Sequence, residues 1–193
     1  MQELSYHILD LVQNSLTAGS SRVFIHIWED SPPGLLTIEV EDNGRGMKEE
    51  MVRRVVNPFV TSRQNSDIGL GLALLREAAE SCGGSLEVFS QEGKGTKVRA
   101  QFQLHHIDRA PLGDLGETME TLIAANPEVH FRYQHQVGQE SYTLDTEEMK
   151  RVLGPEGFGS PEVLEFVRRD VHAGLKKIGA AFVPKLTFQI EES

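Results

Sequence analysis

Apolar residues at Leu4, Ile8, Leu11, Val12 and Leu16 step along the chain by threes and fours, which predicts an amphipathic helix over residues 3–17 that stops at Ala18-Gly19. His7, Asp10 and Asn14 fall at the same kind of spacing off that stripe, so the helix is expected to carry them together on one face away from the apolar side. A period of two then takes over. Val23, Ile25 and Ile27 alternate with Phe24, His26 and Trp28, and after the Ser31-Pro32-Pro33-Gly34 turn Leu36, Ile38 and Val40 alternate with Thr37, Glu39 and Glu41, which predicts a β-hairpin. Residues 48–56 form a short helical pattern cut off by Pro58, and a polar stretch from Thr61 to Asp67 leads to Gly69. Leu72, Leu75 and Ala79 restore helical spacing from Gly71 to Ser81, closed by Gly83-Gly84. Leu86 and Val88, then Val98, Ala100, Phe102 and Leu104, predict a second hairpin around Gly93 to Gly95.

Beyond Leu104 the period is lost until about residue 114. Helices are expected near 114–125, 145–153 and 161–178, with a hairpin joining Phe131–Val137 to Ser141–Leu144. The division expected is a first unit over 1–104 and a small α+β region over 105–193. Consecutive hairpins imply a mostly antiparallel sheet, and the amphipathic helices must cover one face of it: an α/β sandwich of two layers.

Composition narrows the classes. With 193 residues, of which 39% are hydrophobic, the chain can bury a substantial core. No apolar run reaches the ~20 residues a membrane helix needs, and the start lacks a basic region followed by an apolar stretch, so a cytoplasmic protein is expected, with no membrane partner. The lone Cys82 excludes a disulfide framework within the chain, and its place at the end of an apolar helix predicts a buried or capping thiol instead of a reactive one. A formal charge of -10 opposes binding to a nucleic acid backbone, yet allows one anionic nucleotide where local dipoles and Mg2+ offset the field.

Four short segments carry candidate chemistry: Asp10–Asn14, Asp42-Asn43-Gly44-Arg45-Gly46, Gly69-Leu70-Gly71-Leu72 and Gly93-Lys94-Gly95-Thr96. Asp42 closes a strand before a flexible turn. A buried carboxylate accepts hydrogen bonds only and would select an amine such as that of adenine, although Asp-Asn-Gly is also an ordinary turn sequence. Gly69 and Gly71 precede a helix whose free N–H groups could hold phosphate oxygens, or they are a simple hinge. Asn14 offers a hard neutral oxygen suited to Mg2+, and Asp10 one turn earlier could accept a proton; the same pair could equally be a solvated helix face. No G-x-x-x-x-G-K-[ST] loop occurs, and Gly69 to Leu74 lacks the third glycine of the dinucleotide fingerprint. His105-His106 beside Asp108 reads as polar linker, and no metal-ligand spacing is found.

In their order and separations these segments resemble the Bergerat-fold ATPases, the superfamily of histidine kinase ATP-binding domains, DNA gyrase B subunits, MutL proteins, heat-shock chaperones and anti-sigma-factor serine kinases. Asp10 to Asn14 is similar to the N box, Asp42 to Gly46 to the first glycine box, Asn57 to Ser62 to the F box, Gly69 to Leu72 to the second glycine box and Gly93 to Thr96 to the third. The resemblance spans residues 3–104, and from Gly69 to Phe102 it is strongest toward histidine kinases. It implies ATP and Mg2+ as ligands, with Asn14 on the metal, Asp42 on the adenine amine, Gly44 and Gly46 lining the base pocket and Thr96 in the water network around the base. It also implies a lid over about Phe59–Ile68 hinged at Gly69 and Gly71, phosphate contacts from Gly69, Leu70, Gly71 and Leu72, Asp10 as catalytic base, and Arg63 as a candidate γ-phosphate contact. Lys94 reads as a surface turn residue.

Two departures shape the expected activity. Hydrolytic members carry Glu at the position of Asp10, and the side chain here is one methylene shorter, which predicts slow hydrolysis. Histidine kinases carry a phosphoacceptor His followed by an acidic residue, and none of the seven His here is so followed. The expectation is a kinase acting on a separate protein partner. The alternatives are a nucleotide-dependent binding module with little catalysis, or a slow ATPase of the MutL kind, to which Asn14–Gly19 is similar. Residues 105–193 are expected to dock a partner or a second copy of the chain.

Overall fold

The computed structural model describes residues 3–30, 32, 34–56, 70–154 and 158–180. In chain order its elements are α1 (Leu4–Thr17), β1 (Arg22–Asp30), β2 (Leu35–Asp42), α2 (Glu49–Val56), α3 (Leu70–Ser81), β3 (Ser85–Gln91), β4 (Gly95–Gln103), α4 (Leu115–Ala125), β5 (His130–Val137), β6 (Glu140–Asp145), α5 (Thr146–Leu153) and α6 (Pro161–Ile178). The hydrophobic periods place every one of them, with ends that differ by a few residues at most.

Among the described residues six strands form one sheet in the order β3-β4-β2-β1-β5-β6. Alternation along each strand sends Val23, Ile25 and Ile27, Leu36, Ile38 and Val40, Val98, Ala100 and Phe102, and Phe131 and Tyr133 to the same buried face. There they meet Leu4, Ile8, Leu11 and Val12 of α1, Leu72, Leu75 and Ala79 of α3, Leu115, Met119, Leu122 and Ile123 of α4, and Val167, Val171 and Leu175 of α6 in one continuous core. The result is a two-layer α/β sandwich. Cys82 lies in this core, 2% exposed. The opposite face carries Phe24, Trp28 and Phe89 beside an ion-paired cluster: Glu39 binds Arg99 at 2.8 Å and Lys97 at 3.3 Å, and Lys97 also reaches Glu41 at 2.7 Å.

Among the described residues all strand pairings are antiparallel except one. β5 runs parallel to β1, with Val23 opposite Phe131 and Ile27 opposite His135. Hairpin patterns are local signals and miss this pairing, because parallel neighbours need a long crossover. Residues 104–129 provide it: α4 carries the chain from β4 across the helical layer to the free edge of β1. Residues after 105 therefore extend the first sheet through β5 and β6 instead of building a second one.

Helix ends are set by local chemistry. Asp114 caps α4 by accepting from Glu117 N at 2.9 Å, Asp145 caps α5, and α6 has Ser160 as cap, Pro161 in its first turn and Gly179 in the left-handed region at its end.

Candidate functional site

Asp42 is the last residue of β2 and shares the inward register of Leu36, Ile38 and Val40, so its carboxylate points into the helical layer at the open end of the sheet. Three donors hold it. Oδ1 accepts from Gly44 N at 2.8 Å and from Thr96 N at 3.3 Å, and Oδ2 accepts from Ser15 Oγ at 2.7 Å. A carboxylate has about four acceptor positions. One remains on Oδ2, which is what an exocyclic amine would need.

The turn after Asp42 is fixed from both sides. Asn43 Oδ1 accepts from Ser21 N and Arg22 N at 3.0 and 2.9 Å, and its Nδ2 donates to Ser21 Oγ. Arg45 N donates to Ala18 O, and Gly93 N donates to Arg45 O. The first and third glycine segments are in direct contact: Gly46 lies against the carbonyl of Gln91 and Gly95 against the carbonyl of Asp42, closer than any Cβ would allow. Ser90 Oγ ties the two together, accepting from Met47 N at 2.8 Å and lying 2.9 Å from Thr96 Oγ1. A recess of about 320 Å3 at this end of the sheet is lined by Asp42, Ser90, Gly95 and Thr96 and also by Glu41, Phe89 and Lys97, which face the other side of the sheet.

The other pair of segments also meets. A Cβ on Gly71, in the first turn of α3, would sit 3.5 Å from Asp10 Oδ2 on α1. Gly71 and Leu72 are the second and third residues of α3 as described, so their N–H groups lie at the end of the helix next to Asp10. Asp10 and Asn14 are exposed, and the Asn14 amide has no hydrogen-bond partner among the described residues. Leu72 enters the core at 5% exposure, so its side chain packs and only its N–H faces the first turn. Residues 57–69 lie outside the described residues, and with them the F box, Arg63, the expected lid and Gly69; for Leu70 only its backbone place at the start of α3 is described.

His7 departs from expectation. Helical spacing predicts it on the solvated face with Asp10 and Asn14, but it is buried, and its Nδ1 has no partner among the described residues. The reason is that α1 contacts α3 and α4 as well as β2, so its buried arc is wider than its apolar stripe. Burial holds the His7 pKa below its ordinary value, with the Asp10 charge opposing.

Sequence reading misses Ser15 and Ser90. Ser15 continues the stripe of Leu4, Ile8, Leu11 and Val12, and a hydroxyl in an apolar register needs a buried partner; Asp42 is that partner. Ser15→Ala is expected to weaken Mg-ATP binding about 5- to 10-fold, the ~1–1.5 kcal/mol of one charge-assisted hydrogen bond, with the melting temperature little changed. Titration calorimetry beside a thermal melt checks this, and an unchanged affinity would remove Ser15 from the site.

The residues fit adenine and a divalent ion on their donor set alone: an acceptor-only carboxylate with a free lone pair, a backbone cradle free of Cβ atoms, and an unengaged amide oxygen on the adjoining helix. The chain is 30% identical over 110 residues to the sensor histidine kinase ZraS of Escherichia coli K12, covering 57% of this chain and 23% of that protein. It is 27% identical over 114 residues to the autoinducer 2 sensor kinase/phosphatase LuxQ of Vibrio cholerae, covering 56% and 13%, and 35% identical over 89 residues to the alginate biosynthesis sensor protein KinB of Pseudomonas aeruginosa, covering 46% and 15%. The chain thus spans less than a quarter of the length of these relatives. In fold it is similar to the N-terminal domain of a DNA repair protein, with a TM-score of 0.52 at 16% identity over 75% of this chain and 53% of that one. Among the described residues no helix is long and apolar enough to cross a membrane. Residues 2–106 match the model of the histidine kinase-, DNA gyrase B- and HSP90-like ATPases, and the chain, whose first and third glycine turns close on Asp42, belongs to this ATPase family, with the ATP binding that the family implies.

Proposed function

We propose that this protein binds Mg-ATP between α1, α3 and the β2 and β4 turns and transfers the γ-phosphoryl group to a separate partner protein. The observation that carries the reading is the Asp42 carboxylate, held by Gly44, Thr96 and Ser15 with one lone pair left for an amine. Guanine presents an oxygen where adenine presents that amine, so the same carboxylate repels it. Asn14 supplies its amide oxygen to Mg2+, and the first-turn N–H groups of Gly71 and Leu72 face phosphate oxygens at the positive end of α3. Mg-ATP, when bound, supplies the activated phosphoryl group. Asp10, exposed beside Gly71, accepts the proton of the attacking group as the new bond to phosphorus forms and ADP leaves. The exposure of Asp10 supports an acceptor delivered from outside the chain, and residues 105–193 are the region that docks it or a second copy of the chain.

One observation favours the reading in which nucleotide mainly switches a binding surface: β5, β6, α4 and α6 share the sheet and core of the nucleotide-binding half.

Calorimetry with Mg-ATP, Mg-ADP and Mg-GTP tests the binding step, with heat expected from the adenine nucleotides alone. Asn14→Ala should weaken Mg-ATP binding about 10- to 100-fold and abolish its dependence on magnesium. Labelled phosphate from γ-labelled ATP should appear on the purified partner and vanish with Asp10→Ala; retained transfer in that variant would reject Asp10 as base.

A further inference from the structure

The helix that carries Asp10 and Asn14 has no side-chain cap: Glu3 stands at its N-cap position and makes no capping hydrogen bond. Its first N–H groups are satisfied from the far side of β4. Leu4 N donates to Pro111 O at 2.9 Å and Ser5 N to Leu112 O at 2.8 Å. The next residue, Gly113, has φ +85°, and a Cβ there would fall on the Ser5 hydroxyl and the Glu3 carboxylate. Asp114 follows as the cap of α4, accepting from Glu117 N and, at 2.6 Å, standing against His172 Nε2 of α6. A Cβ on Gly116 would come 2.8 Å from Arg168 O, so α4 enters directly against α6. Nearby on α6, Asp170 accepts from Tyr142 Oη at 2.7 Å, which pins the helix to β6.

From these contacts we infer that the segment Pro111–Asp114 is a positioning element for the nucleotide site, setting the N-terminal end of α1 and making nucleotide affinity depend on how α4 and α6 pack. The inference rests on the reading of Asp10 to Asn14 as the nucleotide side of α1. Its physical content is a contiguous chain of contacts: the α1 amides, the 111–112 carbonyls, Asp114, His172 and α6. Because linkage is reciprocal, nucleotide bound at α1 must also stabilise the first turn of α4.

Hydrogen exchange of the unaltered full chain, with and without saturating Mg-ATP, reads this directly. Slowed exchange is expected in peptides covering 1–12 and 111–122 together with the glycine turns. His172→Leu, which removes the donor to Asp114, is expected to weaken Mg-ATP binding about 3- to 10-fold and to abolish the protection of 111–122, and His172→Gln, which keeps a donor, to restore both. Gly113→Ala should act in the same direction from the α1 side. Protection confined to α1 and the glycine turns, or a His172→Leu variant that melts earlier yet binds Mg-ATP with unaltered affinity, overturns the positioning role while leaving the nucleotide site standing. Absence of both heat and protection in the unaltered chain rejects the site itself, and the positioning role with it.

Discussion

Asp42→Asn is expected to weaken Mg-ATP binding by about 100-fold, roughly 3 kcal/mol, while the fold persists. The substitution preserves volume and isolates hydrogen-bond polarity. Two N–H donors, of Gly44 and Thr96, converge on Oδ1, so the introduced amide must turn its oxygen toward them. Its NH2 group then occupies the place of Oδ2, facing Ser15 and the purine. Ser15 can rotate its hydroxyl and accept; an exocyclic amine has no hydrogen to withdraw and no lone pair to offer in exchange. Two donors are thus opposed in a half-buried position, which costs more than the loss of one contact. Asp42→Ala should lose a similar amount by a different route, since the turn at 43–46 also loses the carboxylate that organises Gly44. Calorimetry for affinity and a thermal melt for the fold separate the two effects. An Asp42→Asn variant that binds Mg-ATP within about threefold of the parent would show that Asp42 does not contact the base.

The same carboxylate shows how far sequence carries and where it stops. Asp42, Gly44 and Gly46 are close together in the chain and mark a turn by residue type alone, and the parity of the preceding strand says that Asp42 faces inward. That Gly95 stacks on the Asp42 carbonyl is a contact between β2 and β4, and only the relative order of the glycine segments hints at it. Ser15 is hidden because a serine in an apolar stripe is consistent with simple tolerance; its role appears only once the end of β2 is brought over α1. His7 is misplaced for the converse reason: helical spacing gives the direction of a side chain, while burial depends on which neighbouring helices arrive, and α3 and α4 arrive from separate parts of the chain. The parallel pairing of β1 with β5 is of the same kind. Each hairpin announces itself locally, but edge-joining across 104–129 is decided by the core that α4 and α6 complete.

That joining edge is also where the largest stability effect is expected. His135 faces inward from β5 and is fully buried, with Nδ1 2.7 Å from Tyr133 Oη and Nε2 2.7 Å from Glu29 Oε1 on β1. Burial pushes the Tyr133 phenol well above its ordinary pKa, so it remains a donor and gives its hydrogen bond to Nδ1; Nε2–H then donates to the Glu29 carboxylate. The parallel register places these groups across the seam between the two halves of the sheet. His135→Leu removes the central member, leaving the Tyr133 phenol, at 1% exposure, without its acceptor and the Glu29 carboxylate, at 4% exposure, with one hydrogen bond fewer. The expected loss is about 2–4 kcal/mol, large against a total of about 10 kcal/mol for a domain of this size, and it should appear as a fall in melting temperature of roughly 5–15 °C. His135→Gln, which can still bridge one of the two neighbours, should lose less. Replacing Tyr133 and His135 together by Phe and Leu should recover part of the loss, because no buried phenol is then left without its acceptor. Denaturant unfolding of the three variants checks the order, and a double replacement as damaging as His135→Leu would show that the seam is held by packing alone and not by the hydrogen-bonded relay.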